Sequence, residues 1–209
     1  SNNISAYLMK QYGPEAMVEM MRKMGIGCYL DPVNSLCVGA ADIAVYEMVA
    51  AYNTFPSRGV YVSPIFVTRI EDSMGNVLGE FNNQKREAIS EYTAYLMANL
   101  MQGVVNSGTG VRLRAKYGLK GEIAGKTGTT NDTIDLTFYG YTPYYTGGIW
   151  MGYDTQKEIK NAGNAHLKIW RSVMADIHSH EGLANKNFDK PDGLTSITYC
   201  SATGLSPTE

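Results

Sequence analysis

Apolar side chains recur at helical spacing over residues 4–24, where Ile4, Leu8, Met17, Met20, Met21 and Met24 keep the period. Gly13-Pro14 punctuates that run. Proline suits the first turn of a helix and glycine the position just past its end, so two helices are predicted, with Pro14 opening the second and Gly25 closing it. Asp42 is placed to cap a third helix over residues 43–55, which Pro56 and Gly59 terminate. The period then changes. Residues 60–71 are rich in Val, Ile, Tyr, Phe and Thr and predict a strand; Ser73-Met74-Gly75-Asn76 is a turn signal, and residues 77–81 return as the hairpin partner. Ser90 opens another helix carrying Leu96, Leu100, Val104 and Val105, which the loop Ser107-Gly108-Thr109-Gly110 ends. Three strand-like pieces follow at 122–127, 136–141 and 145–153, each bounded by glycine, proline or Asn-Asp. Helical spacing returns over 166–178, with Leu167, Trp170, Val173, Met174 and Ile177 on one face. The tail after Phe188 is polar and turn-rich, with room for a short strand. This order predicts an α+β fold, an antiparallel sheet flanked by helices, and not a parallel doubly wound sheet.

Composition narrows the picture without naming a function. The 209 residues are 44% apolar and 18% charged, with a formal net charge of -2, which suits one globular domain or a large piece of one. No clustered basic surface is expected, so nucleic acid is not a predicted partner. No apolar run approaches the ~20 residues of a membrane helix, and no signal peptide is present. The chain opens abruptly on Ser1-Asn2-Asn3 and runs straight into a periodic segment, as an excised part of a longer protein would. Cys28, Cys37 and Cys200 form no C-x-x-C pair and suit no zinc site. Cys28 and Cys37 could bridge a short loop, but small semi-buried thiols are the favoured reading. His178 and His180 are expected to face solvent and not to bind metal, Asp132 and Asp135 to serve a turn and a strand start, and Trp150 and Trp170 to lie in the core.

The segment Gly125-Lys126-Thr127-Gly128-Thr129 carries the chemistry, and two readings compete for it. A phosphate-binding loop needs G-x-x-x-x-G-K-[ST], because the loop must be long enough to wrap its amides around phosphate. Counting back from Gly125 puts Lys120 where that glycine should stand, and Gly121 is one residue too close. A magnesium-holding strand end at residues 149–154 would be weak support. The other reading is the K-T-G element of the serine penicillin-recognising enzymes. Its physics fits. A lysine on an edge strand supplies positive charge for a substrate carboxylate, threonine hydroxyls hydrogen-bond that carboxylate, and a glycine leaves room for an extended peptide to lie alongside. A nearby backbone amide can help form an oxyanion hole.

The flanking blocks make the resemblance specific. Ile123 through Asp132, Asp135, Phe138-Tyr139-Gly140-Tyr141-Thr142-Pro143 and Gly148-Ile149-Trp150-Met151-Gly152-Tyr153-Asp154 resemble the core of bifunctional (class A) penicillin-binding proteins. So do Glu47-Met48-Val49-Ala50-Ala51-Tyr52-Asn53-Thr54-Phe55 and Ile70-Glu71-Asp72-Ser73-Met74-Gly75-Asn76-Val77. Ser1-x-Asn3 resembles that family's S-x-N element, although a Ser/Asn pair before a helix is often only a cap. The S-x-x-K element, which supplies the nucleophilic serine and its activating lysine, has no counterpart: no serine of this sequence has lysine three residues on. Leu136-Thr137-Phe138 is a second departure, since the family more often has an aromatic pair there.

The resemblance implies the penicillin-binding/serine β-lactamase-like fold, with residues 1–209 as the C-terminal portion of one transpeptidase domain: a helical part at 1–59, a hairpin at 60–82, the K-T-G strand, sheet and closing helix within 90–180, and a tail at 181–209. It implies a D,D-transpeptidase that cross-links peptidoglycan through a serine acyl-enzyme, acts on stem peptides ending in D-Ala-D-Ala, is acylated by β-lactam antibiotics and needs no cofactor or metal. In this sequence Lys126, Thr127 and Thr129 would hold the terminal carboxylate, the Thr129 amide would contribute to the oxyanion hole, and Gly128 and Thr130 would complete the substrate-binding strand, while Ser1 and Asn3 would form the opposite wall, Ser1 passing a proton to the leaving group. The 209 residues by themselves would be inactive. A glycosyltransferase domain and a membrane anchor would precede them in a parent on the outer (periplasmic) face of the bacterial cytoplasmic membrane. A D-Ala carboxypeptidase, a β-lactamase, or a non-catalytic β-lactam sensor or peptidoglycan-binding module of the same fold are the alternatives.

Overall fold

A computed structural model describes residues 2–200 and 203–206. The fold is α+β. Helices α1 (Asn2–Tyr12) and α2 (Pro14–Lys23), a 3-10 turn (Asn34–Val38) and α3 (Val45–Asn53) lead into four short strands, β1 (Val60–Val62), β2 (Arg69–Glu71), β3 (Val77–Glu80) and β4 (Lys85–Glu87). Then come α4 (Glu91–Asn106), α5 (Arg112–Ala115), β5 (Ala124–Thr129), a 3-10 turn (Asn131–Thr133), β6 (Leu136–Tyr141), β7 (Thr146–Met151) and α6 (Ala165–His180).

The central sheet is antiparallel in the order β5-β6-β7, with Lys126 opposite Tyr139 and Tyr139 opposite Gly148. Tight turns make this topology: the buried Thr142 hydroxyl accepts the amides of Tyr144 and Tyr145 at 3.3 and 3.2 Å, reversing the chain between β6 and β7. Side chains alternate between the sheet's two faces, and each face has its own core. On the α6 side, Gly125, Gly140 and Gly147 lie directly opposite one another across the three strands. A Cβ on Gly140 would stand 3.0 Å from the Trp170 ring and one on Gly147 2.6 Å from the Met174 methyl, so this row of missing side chains is a seat for α6. Trp170 fills it, donating from Nε1 to the Gly147 carbonyl at 3.0 Å and meeting Phe138 edge-on at 5.1 Å. Val105, Leu113, Ile123, Leu167 and Met174 complete that core. On the other face Tyr139 packs on Tyr52 of α3 at 5.3 Å, and Tyr141 meets Phe55 and Phe188. The tail is pinned there because the Phe188 amide donates to the Glu122 carboxylate at 2.6 Å.

Several local expectations change. Asp42 does not cap α3: Ala44 holds that position without a side-chain bond, because Ile43 is drawn into the Ile26–Leu30–Ala51 cluster and keeps residues before the helix extended. Residues 60–71 are two strands, not one. Pro64 brings no amide to a ladder, so β1 stops at Val62 and pairs with β4, which the sequence pattern missed, while β2 alone forms the hairpin with β3. The hairpin turn is the expected one, closed by the Asp72 carboxylate accepting from the Asn76 side-chain Nδ2 at 2.8 Å and from the amides of Asn76 and Met74 at 2.9 and 2.8 Å, bonds that hold its carboxyl below its usual range, the Asn76 side chain foremost. Ser90 does cap α4, accepting from the Thr93 amide at 3.2 Å. The buried stripe of that helix is Ala94, Ala98, Met101 and Val105, however, and Leu96 and Leu100 are exposed. Alanines let α4 approach the edge strand more closely than leucines would permit. Val173 is likewise exposed on α6. Cys28 and Cys37 are both thiols. No strand occurs after His180 among the described residues.

Candidate active site

Strand β5 changes character halfway along. Ala124 and Gly125 are buried; Lys126 and Thr129 are exposed, with Thr127 and Gly128 between. The change has a packing cause. A Cβ on Gly125 would lie 2.7 Å from the Tyr139 carbonyl oxygen and 2.9 Å from Gly140 Cα, both backbone atoms that cannot rotate away. Beyond Gly125 the strand becomes exposed, although Thr127 and Thr129 still pair with the buried Phe138 and Leu136 of β6. As the first strand in the order, β5 has no strand partner on its outer side among the described residues, so its outer edge keeps backbone donors and acceptors for an extended ligand.

Lys126 reaches along the strand, its Nζ donating to the Thr127 carbonyl oxygen at 2.8 Å. Thr127 Oγ1 lies 2.6 Å from Thr109 Oγ1. A Cβ on Gly128 would collide with Thr137 Oγ1, so the Thr137 side chain packs directly against the strand where Gly128 leaves room for it. Lys126 and Gly128 share the α3 face of the strand and Thr127 and Thr129 the α6 face, so polar groups stand on both sides of its exposed end. Thr130 is engaged differently: its Oγ1 accepts the Asp135 amide at 2.7 Å, and its own amide donates to the Asp135 carbonyl at 3.2 Å, closing the turn into β6. Asp132 and Thr133 inside that turn sit at φ 57° and 54°, a left-handed pair without glycine that stores about 1–3 kcal/mol per residue. Asp135 also accepts from Trp150 Nε1 at 3.0 Å, and this bond draws Trp150 to the surface, contrary to the core position expected of it. Asp135 keeps its expected strand-start role, and Trp170 its core role.

The remaining titratable groups are structural. Burial pushes the Tyr52 phenol up to about 12 and also raises those of Tyr139 and Tyr141, so the aromatic layer against this part of the sheet is neutral. His178 is not solvent-facing as expected: its Nε2 shares a hydrogen bond with Thr142 Oγ1 at 3.1 Å, and Tyr144 and Tyr145 flank its ring. Among the described residues no three His, Cys, Asp or Glu side chains converge. Lys126 lies inside a strand and not at the mouth of a helix, which removes the phosphate-loop reading. Of the opposite wall, Ser1 lies outside the described residues; Asn3 is exposed on the first turn of α1, which packs on α2 and the 3-10 turn at Asn34–Val38. Thr109 is the residue that the sequence pattern missed. It reads as loop filler between two glycines, and only the folding of that loop toward β5 reveals it.

The chain matches the family described as penicillin binding protein transpeptidase domain over residues 1–177. It is 37% identical over 150 residues to penicillin-binding protein 1A of Clostridium acetobutylicum, covering 72% of this chain and 18% of that protein. It is 31% identical over 193 residues to penicillin-binding protein 1A of Aquifex aeolicus, covering 91% of this chain and 26% of the relative. With penicillin-binding protein 2D of Bacillus subtilis it shares 31% identity over 214 residues, 99% of this chain and 30% of the relative. The chain therefore spans less than a third of the length of these relatives. Its fold is similar to the crystal structure of penicillin-binding protein 1A from Haemophilus influenzae, with a TM-score of 0.85 at 20% identity over 100% of this chain and 37% of that one. The PonA1 protein of Mycobacterium tuberculosis in complex with penicillin V is similar at a TM-score of 0.75 and 22% identity, over 98% of this chain and 58% of that one.

Proposed function

This chain belongs to the penicillin binding protein transpeptidase family, and on that premise we propose that it forms the carboxylate-holding wall of a peptidoglycan D,D-transpeptidase site. The observation that carries the reading is the open outer edge of β5, where an exposed lysine and flanking threonines follow directly on a rigid, glycine-packed segment. A stem peptide ending in D-Ala-D-Ala lies extended along that edge. Its terminal carboxylate is held by the Lys126 ammonium and the hydroxyls of Thr127 and Thr129, and Gly128 keeps the path clear. The Thr129 amide contributes to the oxyanion hole as a serine attacks the penultimate carbonyl. D-Ala then leaves, and an amine of a second stem peptide resolves the acyl-enzyme. β-Lactams carry a comparable carboxylate and acylate the same serine. Thr130 supports the site by closing its turn rather than by touching substrate.

The nucleophile belongs to an S-x-x-K element outside these 209 residues, which form the C-terminal portion of the domain. Asn3, exposed on the first turn of α1, is the S-x-N residue assigned to the opposite wall of the site. The parent is a bifunctional protein anchored in the cytoplasmic membrane, with this domain on its outer face; among the described residues no helix is long and apolar enough to cross a membrane. The test is Lys126→Ala in the full-length protein. Losing a charge-assisted bond to the carboxylate is expected to slow acylation by a fluorescent penicillin about 10- to 100-fold. Unchanged acylation kinetics would remove the carboxylate-holding role.

A further inference from the structure

We propose that Thr109 is a positioning residue for the site: it orients the Thr127 hydroxyl so that its proton is presented to the substrate carboxylate. The inference rests on the carboxylate-holding reading of β5 and extends it to a residue outside the strand. The two hydroxyl oxygens are 2.6 Å apart, across eighteen residues of sequence. Their meeting is built in. After α4 ends at Asn106 the chain folds back on its own last turn, with the Gly110 amide donating to the Val104 carbonyl at 2.9 Å and the Val111 amide to the Gly108 carbonyl at 3.1 Å. A Cβ at Gly108 would stand 2.9 Å from Val104 Cα, and one at Gly110 3.2 Å from the Val104 oxygen. The glycines on either side of Thr109 are therefore what allow the loop to close this tightly. The loop holds Thr109 against β5, leaving its hydroxyl directed at Thr127.

A hydroxyl both donates and accepts, so the pair has two orientations. When Thr127 donates to Thr109, its proton is turned away from the ligand. When Thr109 donates, Thr127 keeps its proton for a second acceptor, and the two bonds polarise each other. An arriving carboxylate selects the second arrangement. Thr109 thereby supplies the partner that leaves the Thr127 proton pointing outward, and the fixed loop spares part of the cost of ordering that hydroxyl on binding.

The experiment uses the full-length protein with Thr109→Val, Thr109→Ser, Thr127→Val and the Thr109→Val/Thr127→Val double variant. Acylation efficiency is measured with a penicillin and with its methyl ester, and melting temperatures are measured alongside. Thr109→Val is expected to lower efficiency with the penicillin about 3- to 10-fold, Thr109→Ser to restore it to within about twofold, and the double variant to be no slower than Thr127→Val alone. The penalty should shrink with the ester, which has no anionic carboxylate to hold. If Thr109→Val lowers the melting temperature, Thr109→Ala takes its place in the comparison with Thr109→Ser. Wild-type efficiency in Thr109→Val while Thr127→Val is slow overturns this inference alone. So do penalties that multiply in the double variant, or an equal penalty on the ester. Wild-type efficiency in Thr127→Val overturns the carboxylate-holding role of Thr127 and this inference with it.

Discussion

The two halves of strand β5 obey different rules. At Ala124-Gly125 the strand is enclosed, and Gly125 has backbone atoms within 2.9 Å of where a Cβ would be. At Lys126–Thr129 the same strand, in the same ladder with β6, becomes exposed and presents polar groups, and where Gly128 is crowded the neighbour is the rotatable Thr137 hydroxyl and not backbone. One half is determined by what must fit against Phe138 and Trp170. The other is left for chemistry, and it inherits its rigidity from the first. The carboxylate-holding role proposed for Lys126, Thr127 and Thr129 needs a backbone that does not move, and the glycine row under Trp170 provides one.

Substitutions test how far this division holds. The largest effect is expected from Trp170→Ala, which empties the seat across all three strands: a loss of about 3–5 kcal/mol by chemical denaturation, with acylation falling as the sheet loosens. A wild-type midpoint would show that the seat does not hold β5. Gly125→Ala should cost about 1–3 kcal/mol, because the obstructing atoms are backbone and the strand must shift. Since that shift carries Lys126 with it, acylation should fall by more than the change in folded population explains; equal losses would mean that the halves are not mechanically linked.

A smaller effect concerns pH. His166, on the first turn of α6, is buried, its Nδ1 has no hydrogen-bond partner among the described residues, and burial holds its imidazole below the ordinary value of 6.5. As pH falls through 6.5 the unfolded chain takes up a proton that the folded chain refuses, so stability is complete above that pH and declines below it. His166→Gln should flatten the fall in melting temperature between pH 7.5 and 5.5, and an unchanged slope would show that another group titrates there. The smallest stability effect belongs to Lys126→Ala, whose exposed side chain should alter folding stability by no more than about 0.5 kcal/mol while acylation collapses. A large loss of stability would break the comparison outright.

Helices at 2–12, 14–23 and 165–180, the three strands of the central sheet and the 72–77 turn were all legible, because each is written in local periodicity, a cap or a turn residue. The Lys126–Thr129 motif was legible for another reason: its residue types and spacing suit carboxylate recognition, and the blocks around it resemble one family. What stayed hidden depended on partners distant in sequence. Residues 60–62 pair with 85–87 because Pro64 interrupts the strand and the chain returns later. Ala94 and Ala98, not Leu96 and Leu100, face the sheet because close approach rewards small side chains, and propensity does not record that distance. Trp150 leaves the core for the Asp135 carboxylate. Thr109 meets Thr127 only because two glycines let a loop fold onto the end of α4. The sequence by itself therefore determined the main helices, the central strands and the strand that carries the chemistry, since these are set by neighbours along the chain. Which face each helix buried, how the short strands paired and what stands behind Thr127 were decided by tertiary structure, because contacts across tens of residues depend on shape and packing that no local pattern encodes.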